Sequence, residues 1–128
     1  MRHFSLRFKG FTLVELLVVL AILMLLTTIA VPRYFSGVDR AKEAALKQDL
    51  SAVRESLDKF YGDQSRYPNS LDELVERKYL RAVPIDPLTD SASTWVITPP
   101  SGNLPGAVYD LHSGSPASAS DGSAYADW

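Results

Sequence analysis

Lys9-Gly10-Phe11-Thr12-Leu13-Val14-Glu15-Leu16 opens an apolar run that continues to Val31, and its only polar members are Thr12, Glu15, Thr27 and Thr28. A helix over residues 11–31 would be about 30 Å long, the thickness of a bilayer core. The stretch before it carries Arg2, Arg7 and Lys9 and no acid. Positive flanks stay on the cytoplasmic side, so the rest of the chain is expected outside. A secretory signal peptide has a shorter apolar region followed by a small-residue cleavage site. Ala30-Val31-Pro32-Arg33 makes a poor site of that kind. A plain signal anchor satisfies the same hydropathy. Glu15 does not suit that reading, because a carboxylate in an apolar span costs up to a few kcal/mol, about 2.5–3.5 at the helix centre, unless it is paired. An intramembrane acid is therefore a functional candidate.

Helical periodicity continues beyond the span. Apolar residues recur at Val38, Ala41, Ala45, Leu46, Leu50, Val53, Leu57 and Phe60. From Leu46 onward the steps alternate four and three, the mark of one buried helix face. Asp39, Arg40, Glu43, Lys47, Arg54 and Glu55 fill other faces and read mostly as a solvated surface, and Glu43 and Lys47 are spaced to pair across one turn. Pro32 has no N–H for the Thr28 carbonyl, and its ring crowds that group. Gly37 adds a second soft spot.

Gly62-Asp63-Gln64-Ser65 is expected to end the long helix, and Tyr67-Pro68 imposes an extended step. Ser70-Leu71-Asp72-Glu73 has capping-box spacing and predicts a short helix through about Arg77. Trp95-Val96-Ile97-Thr98 and Ala107-Val108-Tyr109-Asp110-Leu111 read as two strands around a turn-rich loop from Pro99 to Gly106. Two strands alone are marginal, but packed on the amphipathic helix they hold. The fold class is α+β, a long, partly transmembrane N-terminal helix on a small antiparallel sheet.

The chain has 128 residues, one small domain beyond the span, and no cysteine. Its net charge of −2 conceals a split: without the first ten residues, 10 basic and 15 acidic side chains remain, a net −5. An acidic body argues against nucleic acid as a partner. His112 lies beside Ser113 and two residues after Asp110. A hydrolytic set needs its base bonded to both partners, whereas neighbouring strand residues point to opposite faces. No nucleophile elbow, phosphate loop or metal-ligand histidine spacing is present, and His3 lies in the basic stretch before the span, so no enzymatic role is expected.

The Gly10-Phe11-Thr12-Leu13-Val14-Glu15 opening resembles the type III signal of prepilins, in the type IV pilin-like family. The resemblance implies a membrane peptidase that cuts between Gly10 and Phe11 and methylates Phe11. It also implies a stretch before Pro32, residues 24–32, that can lose helicity when subunits pack. Phe60-Tyr61-Gly62, Arg66-Tyr67-Pro68, Leu71, Leu74, Tyr79-Leu80 and Pro84-Ile85-Asp86-Pro87 resemble the major pseudopilin of type II secretion systems, a group without a C-terminal disulfide loop. The implied organisation is a leader (1–10), a transmembrane and filament-core helix (11–32) and a periplasmic pilin-like domain (33–128).

The implied function is a structural subunit, single-pass in the bacterial inner membrane, that assembles with copies of itself and other pseudopilins on an inner-membrane platform. Phe11, Glu15 and Pro32 are the assembly residues, with Glu15 paired to the Phe11 amine of a neighbour. The alternatives are a minor or structural type IV pilus subunit and a monomeric anchored binding module. The tail from Ser113 to Trp128, rich in Ser, Ala and Gly, reads as a flexible end, although Tyr125 and Trp128 are large groups suited to packing back. Major pseudopilins hold calcium in a C-terminal loop, which implies calcium at Asp121 and Asp127. These are the only acids after the hairpin, fewer than in the family loop, so carbonyls would supply most ligands.

Overall fold

The computed structural model describes residues 10–128. The chain divides into two compact units, one ending at Gly37 and the other spanning Val38–Trp128. Helix α1 (Leu13–Gln64) contributes residues to both.

In the first unit the helix is long and apolar enough to cross a membrane, and none of its apolar side chains is buried within the chain. Helical geometry satisfies its backbone internally, as hydrocarbon requires, except at the Thr28 carbonyl, which Pro32 leaves without its usual donor. Residues 24–32 are helical here, and Pro32 lies inside the helix. The hydroxyls of Thr27 and Thr28 donate to the Leu23 and Leu25 carbonyls, both at 2.6 Å, so neither threonine leaves a bare polar group on the apolar surface.

The second unit is built on the four-three stripe. Leu46, Leu50, Val53, Leu57 and Phe60 are all buried. The expected stripe begins too early, because Ala41 and Ala45 are exposed: the body covers the helix only from about Glu43, where the tail reaches it. Each large side chain on the stripe contributes about 1.5–3 kcal/mol of burial. Helix α2 (Leu71–Glu76) adds Leu74 to this core. Ser70 caps it as expected, its Oγ accepting from the Glu73 N–H at 3.3 Å. The Glu73 carboxylate reaches back one residue further than a capping box requires, to the Asn69 N–H (2.7 Å), and pairs with Arg66.

Strands β1 (Val96–Thr98) and β2 (Asp110–His112) pair antiparallel, with Ile97 opposite Leu111. Both differ from the expected limits. Trp95 stays outside β1 and buries its ring, with Nε1 donating to the Pro84 carbonyl at 2.8 Å. The second strand starts three residues late because the Ala107 and Val108 N–H groups donate to the Pro68 carbonyl (both 3.0 Å) rather than to β1. Gly106 permits that crossing: its φ is +109°, and a Cβ there would overlap the Tyr67 backbone.

The tail is not a loose end. Ser118 and Ala124 form a bridge, a 3-10 turn covers Tyr125–Asp127, and Ala119 and Tyr125 enter the core. The Tyr125 and Trp128 rings meet edge to face with centroids 5.1 Å apart, the packing their size favours.

Candidate processing and assembly site

Gly10, Phe11 and Thr12 precede the helix and are exposed, so the Gly10–Phe11 bond lies in non-helical chain. Lys9 and the residues before it fall outside the described residues. Thr12 caps α1: its Oγ1 accepts from the Glu15 N–H at 3.1 Å, and its carbonyl accepts from the Leu16 N–H at 3.1 Å. Sequence reasoning missed this cap, although Thr12-Leu13-Val14-Glu15 has the spacing of a cap followed by an acid.

Glu15 is thus the third helical residue, one turn from Phe11, near the positive end of the helix dipole. Its neighbours Leu13, Val14, Leu16 and Leu17 are exposed and apolar. Among the described residues no Lys or Arg of this chain pairs with it. A carboxylate presented on an apolar surface without a cation offers a partner molecule a charge complement. Pro32, the third candidate assembly residue, lies inside α1, seventeen positions C-terminal to Glu15.

The N-terminal sequence matches the Prokaryotic N-terminal methylation motif over residues 5–31. The type II secretion system core protein G of Pseudomonas aeruginosa is 34% identical over 95 residues, 62% of this chain and 67% of that protein. The protein of the same name from Klebsiella pneumoniae is 34% identical over 97 residues, covering 63% and 69%. The chain belongs to the type II secretion system core protein G family.

It is a pseudopilus subunit, with the pilin-like α+β fold of a long N-terminal helix and a two-stranded sheet. A type IV major pilin, PilA of Myxococcus xanthus, is also 34% identical over 72 residues, which cover 56% of this chain and 33% of that pilin. No solved structure matches.

In this pseudopilin the C-terminal loop is wired through protein groups. The Glu43–Lys47 pair expected from spacing does not form. Glu43 instead accepts from the Ser120 N–H (2.9 Å), the Ser120 hydroxyl (3.0 Å) and the Tyr125 hydroxyl (2.9 Å). The Ser120 N–H above all, then the Tyr125 hydroxyl, hold the Glu43 carboxyl below its usual range. Burial, and next the bond to Glu43, push the Tyr125 phenol up to about 12. Lys47 places its ammonium 4.6 Å over the Trp128 ring.

Asp121 accepts from both the N–H (2.9 Å) and the hydroxyl (2.5 Å) of Ser123, which hold its carboxyl low, and the Ser123 hydroxyl also accepts from Trp128 Nε1 (2.7 Å). Asp127 lies in the 3-10 turn. Among the described residues no three His, Cys, Asp or Glu side chains gather as metal ligands. Calcium needs six to eight oxygens whose lone pairs converge. Here Ser120 and Ser123 turn their hydrogens toward carboxylates, and the donor set does not have that character.

His112, the last residue of β2, and Ser113 just beyond it engage different partners. His112 Nδ1 lies 3.0 Å from the Trp128 carbonyl, and the buried Ser113 hydroxyl donates to Asp86 at 2.6 Å. Arg54 is a contact that sequence reasoning left among the solvated charges. It donates to Asp110 (2.8 Å) and to the Leu111 (3.2 Å) and Trp128 (2.6 Å) carbonyls, tying α1 to β2 and to the tail.

Proposed function

We propose that this pseudopilin is made as a precursor whose residues 1–10 are a cytoplasmic leader, removed by a prepilin peptidase that cuts at Gly10–Phe11 and methylates Phe11. Residues 11–32 then anchor the subunit in the inner membrane and later form the filament core. Residues 33–128 form the periplasmic domain. The role is structural rather than catalytic: subunits join other pseudopilins at the base of a periplasmic filament, on an inner-membrane platform, and the growing filament drives export.

The observation that carries this reading is the Glu15 carboxylate, which among the described residues has no cation of its own chain and stands on an otherwise apolar helical turn, one turn from Phe11. The Phe11 amine freed by cleavage is cationic and lies at a similar depth. In low dielectric the two charges attract far more strongly than in water. Pairing between neighbours relieves the cost of an isolated carboxylate and sets the axial step between subunits. Crosslinking of the full chain in cells that carry the secretion system tests assembly. A ladder of dimers, trimers and larger species is expected. Monomer alone would leave a membrane-anchored binding module.

A further inference from the structure

Glu43, Lys47 and Arg54 lie on one face of α1, and each holds a different part of the C-terminal segment. Glu43 stands at the top of this face. The groups that converge on it are an N–H and two hydroxyls, brought from 77 and 82 positions away in the chain. Three hydrogens aimed at one point solvate an anion. A cation at that point would meet the positive ends of all three bonds.

We propose that Glu43 closes the C-terminal loop of this pseudopilin, a position held by its carboxylate acting on Ser120 and Tyr125 rather than by a divalent cation. The charges around it fit. Asp121 and Asp39 are the acidic neighbours of the Glu43–Tyr125 pair, and Lys47 is the cation acting on Asp121. Asp121 does not join Glu43 around a common centre, because its carboxylate is engaged by Ser123. The loop is thereby held to the helix at Ser120 and Tyr125, and again by Arg54 at Trp128. The subunit reaches its folded state without calcium.

The alternative is a calcium ion at Asp121 and Asp127, and the two make opposite predictions for the full chain in detergent micelles. Thermal melts of wild type and of Asp121→Asn should be the same in calcium and in chelator. Glu43→Ala should lower the melting temperature by several degrees in both. It should also speed amide exchange at Ser120 by about tenfold or more, since that N–H loses its acceptor. Glu43→Gln keeps the shape and one acceptor, and should fall between the two. If Glu43→Ala does not fold, Glu43→Gln and the calcium series on wild type still decide the question. A wild-type melting temperature that rises with calcium and falls with chelator, with the difference removed by Asp121→Asn, would overturn the proposal. So would unchanged Ser120 exchange in the Glu43 variants.

Discussion

Replacing Glu15 with leucine removes the one charge from the apolar surface of α1 between Leu13 and Pro32. Glu15 lies four residues past Phe11, about 6 Å deeper along a helix. That is shallower than the bilayer centre, where an acid costs about 2.5–3.5 kcal/mol, so a cost of about 1–3 kcal/mol is appropriate. Leucine abolishes this cost in the unassembled subunit and with it the gain from pairing. At about 1.4 kcal/mol per tenfold, preference for the filament over the free membrane state should fall roughly 5- to 140-fold. Because a filament repeats the contact at each step, the yield of long filaments should fall further still. Insertion and cleavage should stay near wild type, since the mutant helix is more apolar and Gly10–Phe11 is untouched. The assay is filament yield and cargo export beside a processing assay on the same cells. Glu15→Gln separates charge from shape and should fail like leucine. Normal filament yield with Glu15→Leu would refute the pairing mechanism.

Two further predictions concern the periplasmic unit. Glu43 and Glu73 both have carboxyls held below the usual range, Glu43 first by the Ser120 N–H and Glu73 first by Arg66. A lowered folded pKa stabilises above the unfolded value, and the contribution is lost as pH falls through the folded one. The melting temperature of the full chain in micelles should therefore hold between about pH 7 and pH 5 and drop below about pH 4.3, and a decline beginning near neutrality would contradict these assignments. Gly106→Ala forces a side chain into positive φ and against the Tyr67 backbone, so it should cost at least about 1–3 kcal/mol; a variant that melts like wild type would show that the crossing of residues 67–68 with 105–108 is loosely held.

Much of the fold is local and was legible. The four-three spacing from Leu46 to Phe60 is a helix face, and Ser70 with Glu73 marks a helix start, because both depend only on near neighbours. The strand limits were missed because the N–H groups of Ala107 and Val108 bond Pro68, about forty residues away, and no short-range pattern records that. The tail misled in the same way. Ser, Ala and Gly composition suggests a loose end, while Glu43, Lys47 and Arg54 look like solvated charges until the fold brings Ser120, Tyr125 and Trp128 beside them. At the N-terminus, Glu15 stood out because a lone acid in an apolar run is chemically costly. The cap at Thr12 shared its four residues and was overlooked.

Intact-mass measurement of the protein purified from membranes decides whether this chain is a processed, membrane-anchored pilin-like subunit. The expected mature species begins at Phe11 and carries one methyl group on its amine. A mature species that retains residues 1–10, or one cut near Ala30, would contradict it.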